Sequence, residues 1–491
     1  MINITVLPGK MKYEYENEIS VSEFLHDISY YIPHPCAGKG ICMKCMVKIS
    51  GELSSLSDKE YGISEPGYRL ACQTKITGNA VIYLDVEHPA EMSFDYIPDG
   101  NYSIAADIGT TSVEISFVNT DTSRCYDFLP FNNPQLKFGN DVISRISAGG
   151  NQSQLGEMQS LIFMEIKSIL KLFCTEKRTF SGRIYVSGNT AMQYIASLRN
   201  TSDLGVYPYS VKHDFINENI RFMDFDVKFN PVLSAFLGGD FLGGAAYVME
   251  KFKYRNMLYM DLGTNGELFI KKNDEIMATS CAMGPALEGM NITFGTMFTR
   301  GAAYHFDSKT GSYMVEKSEK FFGITGTCLI DVISYFIENE LINSNGEIVK
   351  GDEYFEAAYY SNEKCLKLND EVCITQTDIR NFQLAKAAVG AAVEILLRKY
   401  YVYPEKPECV VLAGTLGKNL NMKNFVKTGF LPDNLCDNVI FAGNTSLESA
   451  KLSLIDEKFR KKIILLKENV KIEYLDTQTD FNEKFIDHIL F

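Results

Sequence analysis

The sequence carries no excess of positive charge: 48 Lys and Arg stand against 62 Asp and Glu, for a formal net charge of -14. Such a chain repels nucleic acid and anionic membrane surfaces, so neither is expected as a partner. It also lacks any apolar run approaching the roughly 20 residues that a membrane-spanning helix needs. It opens MINITVLPGK, without an apolar signal segment, and a cytoplasmic location is the expectation. A GxxxxGK[ST] phosphate loop is missing too, which argues against a Walker-type nucleotide site. The 491 residues leave room for about three domains with ample core.

Cysteine is plentiful by comparison. Eight of the twelve (Cys125, Cys174, Cys281, Cys328, Cys365, Cys373, Cys409 and Cys436) are scattered and read as buried small hydrophobes in a reducing compartment. The other four, Cys36, Cys42, Cys45 and Cys72, are spaced C-x5-C-x2-C-x26-C. Three thiolates on one Gly-rich loop, CAGKGICMKC, can wrap one side of a 2Fe-2S cluster while a fourth arrives from a distant strand. Zinc sites usually pair C-x2-C with a second close pair, whereas the fourth cysteine here stands alone. Disulfides do not suit a cytosolic chain. Electron transfer is the function this quartet suggests.

The surroundings of the quartet have β-grasp patterning. Ile2, Ile4 and Val6 alternate, Pro8-Gly9 turns the chain, and Met11, Tyr13 and Tyr15 alternate back. A short helix over residues 20–28 places Val21, Phe24 and Leu25 on one face, and strand-like runs follow at 46–49 and 81–86. Residues 1–86 resemble the vertebrate- and bacterial-type 2Fe-2S ferredoxins, whose first cysteine gap has five residues. Residues 87–101, with Pro89, Pro98 and Gly100 and no periodicity, read as a linker able to extend at most about 50 Å.

Beyond the linker lies an internal repeat. IAADIGTTSVE recurs 154 residues later as YMDLGTNGEL, each copy with hairpin patterning and the second with an Asn265-Gly266 turn signal. Gly109, Thr110 and Thr111, and likewise Gly263, Thr264, Asn265 and Gly266, offer backbone N–H groups and hydroxyls in a nest suited to phosphate oxygens. Asp107 and Asp261, at the ends of the preceding strands, are placed to hold Mg2+ beside those phosphates. A third element follows a long amphipathic helix, for which Thr377 is the candidate cap and Tyr403-Pro404 the terminator. There Cys409 to Leu412 runs into Ala413-Gly414-Thr415-Leu416-Gly417, and Gly414 and Gly417 let a flat base and ribose approach the backbone.

DIGTTS, DLGTNGE and AGTLG, in that order, resemble the two phosphate motifs and the adenosine motif of the superfamily uniting sugar kinases, acetate kinase, heat-shock ATPases and actin. The resemblance implies a two-lobed α/β actin-like fold, with lobe I over 102–250 and lobe II over 251–491, that binds ATP between its lobes. A 2Fe-2S module ahead of such an ATPase resembles the reductive activators of corrinoid proteins. Further blocks agree, among them NNPQLKFGNDVISRI, SGNTAM, FLGGDFLGGAA, GPALEG, GITGTCLIDVI, ITQTDIRNFQLAKAAV and AGNTSLESA.

That resemblance implies one-electron reduction of inactive cob(II)alamin to cob(I)alamin on a corrinoid protein partner, driven by ATP and fed by an upstream low-potential donor. A homodimer is the assembly it leaves open. By the same resemblance Asp240, inside GGDFLGG, positions water for hydrolysis as a sugar-kinase carboxylate orients an attacking oxygen; a helix N-cap is its plainer role. Asn189 and Thr190 are candidates for contact with phosphate or partner. The sequence departs from the family in two places. DIGTTS begins only 35 residues after Cys72, where longer activators carry an additional domain, and Tyr194 follows SGNTAMQ where relatives tend to place His. Rival readings are a small-molecule kinase, which leaves the ferredoxin unused, and an electron carrier with a degenerate nucleotide site. A reductase serving a radical dehydratase fits less well, because its 4Fe-4S cluster lies between subunits.

Overall fold

The computed structural model describes residues 1–7, 11–28, 40, 45–60, 67–84, 94, 96–128, 130–139, 141–298, 301–401 and 406–491. Cys36, Cys42, Pro8, Gly9, Pro89, Tyr403 and Pro404 lie outside them. The chain packs as two compact units, Met1–Phe229 with Ser453–Ile455, and Asn230–Leu452 with Asp456–Phe491.

The first unit begins with the expected β-grasp. Strand Ile2–Leu7 pairs antiparallel with Met11–Tyr15 in the register Ile2 to Tyr15, Ile4 to Tyr13 and Val6 to Met11, and parallel with Lys75–Tyr83. Lys75–Tyr83 in turn pairs with Met46–Leu53, which pairs with Tyr68–Leu70. Helix Val21–Asp27 starts on a capping box: the Glu23 N–H donates to Ser20 Oγ at 3.1 Å and the Ser20 N–H to Glu23 Oε2 at 3.2 Å. Val21, Phe24 and Leu25 then meet Ile4, Val47, Leu70, Ile76 and Ile82 in one apolar core.

The expected linker is anchored over its carboxyl half. Phe94 and Ile97 are buried, at about 1.5–3 kcal/mol for each such side chain. The Arg178 guanidinium donates to the carbonyls of Phe94 at 2.6 Å and Ile97 at 3.1 Å. Phe94 also meets Phe117, Phe128 and Phe173 ring to ring. Residues 87–93 lie outside the described ones.

From Gly100 the first unit builds a mixed sheet, with Ser112–Asn119, Gly100–Ile108, Arg178–Gly188 and Phe225–Phe229 as consecutive neighbours. The second unit repeats its central part. Gly266–Lys272, Asn256–Leu262 and Cys409–Ala413 are neighbours in the same order and sense, antiparallel then parallel. This second sheet carries an apolar core on each face. One contains Leu258, Met260, Leu268 and Leu412; the other contains Met257, Tyr259, Phe269 and Val411 and packs on Gly239–Phe252.

The long helix spans Gln376–Tyr400, with Ile379, Phe382, Ala385, Val389, Val393 and Leu396 buried as its periodicity predicts. Its cap is Thr375, not Thr377. Thr375 Oγ1 accepts from the Asp378 N–H at 3.1 Å and Asp378 Oδ2 accepts from the Thr375 N–H at 3.0 Å. That reciprocal pair satisfies two otherwise orphaned donors, which Thr377, already inside the helix, cannot do.

Candidate functional site

The strand register brings two of the four cluster cysteines together. Met46 faces Leu70, so Cys45, just before one strand, lies beside the turn that follows the other, and the Ala71 N–H donates to the Cys45 carbonyl at 2.8 Å. The Cys45 and Cys72 sulfurs are 3.3 Å apart, far beyond the roughly 2.05 Å of a disulfide, and the two are not cross-linked. Two converging thiols without a disulfide suit neighbouring ligands of a thiolate-held cluster. Cys36 and Cys42 lie outside the described residues.

Glu60 fixes the segment that carries Cys72. Although the residue is only 2% exposed, its carboxylate accepts from Arg69 Nε at 2.8 Å and Nη2 at 3.2 Å, and from the Leu70 N–H at 3.0 Å. Thr74 Oγ1, the Ser57 N–H and Ser57 Oγ donate to it as well. Burial pushes its pKa up, but the bonds from Arg69, Ser57 and Leu70 outweigh it and bring the value down to about 2.

The two Asp-x-Gly-Thr turns share one frame. Asp107 is paired with Glu114 across the hairpin and with Ser187 on the parallel strand; Asp261 is paired with Glu267 and with Ala413 in the same way. SGNT at 187–190 and AGT at 413–415 thus occupy equivalent places. Each turn closes on its own glycine, whose N–H goes to the carbonyl of Ser112 at 2.9 Å or Asn265 at 3.0 Å. Gly109 and Gly263 therefore use their donors inside the turn.

In the first turn, buried Asn133 donates from Nδ2 to the Gly109 carbonyl at 2.7 Å, while its Oδ1 accepts from the Gln135 N–H at 2.9 Å. Asn189 caps helix Thr190–Ala196 through Oδ1 and donates from Nδ2 to Thr110 Oγ1 at 3.0 Å. Thr110 Oγ1 accepts that bond, which leaves its own proton available as a donor. The backbone N–H groups of Thr110 and Thr111 have no partner among the described residues. These are the donors that an anionic oxygen would meet.

The second turn is surrounded by carboxylates. Thr264 Oγ1 donates to Glu288 Oε2 at 2.9 Å, and Gly263 lies under the other oxygen, 3.3 Å from where a Cβ would sit. Burial raises the Glu288 pKa against the bonds from Thr264. Half-buried Asp261 accepts from Tyr259 OH at 3.3 Å, a hydroxyl that also meets Thr445 Oγ1 at 2.8 Å. Burial pushes its pKa up to about 6. The carboxylate of Glu267, a residue 8% exposed, receives no hydrogen bond from the described residues, and burial followed by the charges of Asp240 and Asp261 pushes its pKa well up. No three Asp, Glu, His or Cys side chains converge as a metal cage among the described residues. The carboxylates fit Mg2+ in its usual manner, one or two protein ligands with water and phosphate completing the shell.

Asp240 sits in the first turn of Gly239–Phe252, whose N-cap is Gly238, so it is not the cap. Its Oδ1 accepts from the Phe241 N–H at 2.8 Å. Gly414, at φ +85°, leaves room for Asp261: a Cβ there would stand 3.2 Å from Asp261 Oδ1. Gly417 is covered by Phe441, with 2.7 Å between its ideal Cβ and the ring, and that ring is 43% exposed. Tyr194 is buried and accepts from the N–H groups of Lys212 and His213, both at 2.8 Å.

Asn133, Glu267, Glu288, Tyr259 and Thr445 were not given roles by the sequence alone. Glu267 closes the repeated motif and Glu288 lies in GPALEG, which is the signal that could have found them.

The fold and these sites define an iron–sulfur ferredoxin module joined to an actin-like domain whose two units share one β topology. Family models agree: a 2Fe-2S iron-sulfur cluster binding domain matches residues 4–77, the RACo middle region residues 102–251, and the C-terminal domain of RACo, the ASKHA domain, residues 255–491. The chain belongs to the RACo family. It is 27% identical over 555 aligned positions to the corrinoid activation enzyme RamQ of Eubacterium limosum, covering 90% of this chain and 92% of that one. It is 24% identical over 255 residues to the [Co(II) methylated amine-specific corrinoid protein] reductase of Methanosarcina barkeri, covering 47% and 45%. A solved reductive activator for corrinoid, iron-sulfur protein superposes with a TM-score of 0.70 at 21% identity, over 100% of this chain and 98% of that one. No described helix is long and apolar enough to cross a membrane.

Proposed function

We propose that this chain is an ATP-dependent reductive activator that returns one electron to the cob(II)alamin of a corrinoid protein, giving cob(I)alamin. The reading rests on one observation above all: a paired-thiol β-grasp module and a duplicated Asp-x-Gly-Thr frame occur in the same RACo-family chain. A 2Fe-2S cluster held by Cys36, Cys42, Cys45 and Cys72 would supply the electron. Glu60 keeps the Cys72 segment in register.

Phosphate oxygens of ATP are taken by the uncommitted donors of Thr110 and Thr111 and by the turn at Gly263, Thr264, Asn265 and Gly266, where an incoming phosphate competes with the Glu288 carboxylate for Thr264. Gly109 shapes the first turn. Asp107 and Asp261 orient Mg2+ through its waters, Asp240 positions the attacking water, and Gly414 and Gly417 add no side chain of their own on the adenosine side, where the Phe441 ring lies over Gly417. ATP drives the reduction only if its bound and hydrolysed states differ in affinity for the corrinoid partner. The upstream donor is a low-potential electron carrier, and a homodimer is compatible with this chemistry.

The test is to mix reduced protein with cob(II)alamin-loaded corrinoid proteins and follow the visible spectrum. Cob(I)alamin should appear with Mg-ATP and not without it. ATP-dependent phosphorylation of a small molecule, with no cobalt reduction, would instead establish a kinase.

A further inference from the structure

Gln73 immediately follows the fourth cluster cysteine and folds back onto it. Its Nε2 lies 3.2 Å from the Cys72 carbonyl oxygen and 3.5 Å from Cys72 Sγ. The carbonyl can only accept, so it fixes which end of the amide is the NH2. The same NH2 group lies within hydrogen-bond reach of the sulfur as well.

The loop makes room for this arrangement. Gly40, between Cys36 and Cys42 in sequence, has φ +70°, and a Cβ there would stand 2.9 Å from Gln73 Cδ and 3.2 Å from Nε2. A side chain at position 40 would push the amide away from the sulfur. Glycine at 40 and glutamine at 73 thus form one device. Nothing in the packing of the β-grasp core requires it, because neither residue belongs to that core.

We propose that Gln73 is a positioning residue that raises the reduction potential of the cluster by donating a hydrogen bond to the Cys72 thiolate. The inference rests on the reading of Cys36, Cys42, Cys45 and Cys72 as ligands of a 2Fe-2S cluster. The added electron spreads onto the sulfurs, so an N–H donor favours the reduced state more than the oxidised one. Gln73 therefore eases filling of the cluster by the upstream donor. It correspondingly steepens the onward step to cobalt, which is the step left for ATP to promote.

The experiment is a dye-mediated EPR titration of the full-length chain, reconstituted anaerobically with iron and sulfide. At the wild-type midpoint, the reduced-to-oxidised ratio in Gln73→Leu should fall about three- to tenfold; tenfold corresponds to about 59 mV for one electron. Gln73→Glu, which sets a negative charge beside the sulfur, should fall further. An unchanged or higher midpoint in Gln73→Leu, with a wild-type visible spectrum, overturns the proposal. If Gln73→Leu takes up no cluster, Gln73→Asn, whose shorter side chain withdraws the amide, must still show a lowered midpoint. A wild-type chain that binds no iron would count against the cluster reading itself, so the two failures are distinguishable.

Discussion

Glu60 in the ferredoxin module and Glu267 in the second unit are both buried carboxylates, and their surroundings are opposite. Glu60 receives bonds from Arg69, Leu70, Thr74 and Ser57 and carries a depressed pKa. Glu267 receives none from the described residues and faces Asp240 and Asp261. An unpartnered buried carboxylate costs free energy unless something outside the chain compensates it. The first residue is complete as folded and holds structure together. The second belongs to a carboxylate cluster whose charge a bound Mg2+ would balance on the reading proposed above.

The largest effect is expected from breaking the complete site. Glu60→Ala leaves Arg69 buried without its carboxylate, and chemical denaturation should report a loss of about 3–5 kcal/mol. The sign reverses at the other site. Glu267→Gln should gain about 1–3 kcal/mol in the absence of divalent cations, while the stabilisation that Mg2+ gives the wild type should shrink.

Asp261 sharpens the contrast through pH. Its folded pKa is raised to about 6 from an ordinary value of 3.8, so the native state binds more protons than the unfolded one across that window. Without nucleotide or Mg2+, stability should fall by about 2 kcal/mol as pH rises from 4 to 7. Asp261→Asn should flatten that slope. Glu60 has the opposite sign: its contribution is full above pH 4.5 and is lost as pH falls towards about 2. The smallest effect is expected in the first turn, where Asn189→Ala removes a cap worth about 1 kcal/mol. It also frees Thr110, so ATP affinity measured by calorimetry should weaken more than stability does.

Local patterns carried most of this architecture in the sequence. The hairpin register Ile2 to Tyr15 follows from strict alternation, and the duplicated Asp-x-Gly-Thr motif marks a duplicated topology. Partners that arrive from elsewhere in the chain were not legible. Glu288 reaches Thr264 from 24 residues away and Asn133 reaches Gly109 across the same separation, contacts that no local periodicity encodes. Thr375 and Thr377 offer the same hydroxyl two residues apart, and only the reply from Asp378 singles out Thr375 as the cap of the long helix. Phe94 and Ile97 looked like linker since two isolated apolar residues form no pattern, yet both are buried.

That the duplicated Asp-x-Gly-Thr frame powers electron transfer from the cluster to cobalt is tested most directly by single-turnover reduction of a cob(II)alamin protein by the pre-reduced chain, comparing wild type with Asp261→Asn. Cobalt reduction should require ATP in the wild type and fail in the variant, with the iron–sulfur spectrum unchanged. Equal reduction in both proteins, with or without ATP, would contradict it.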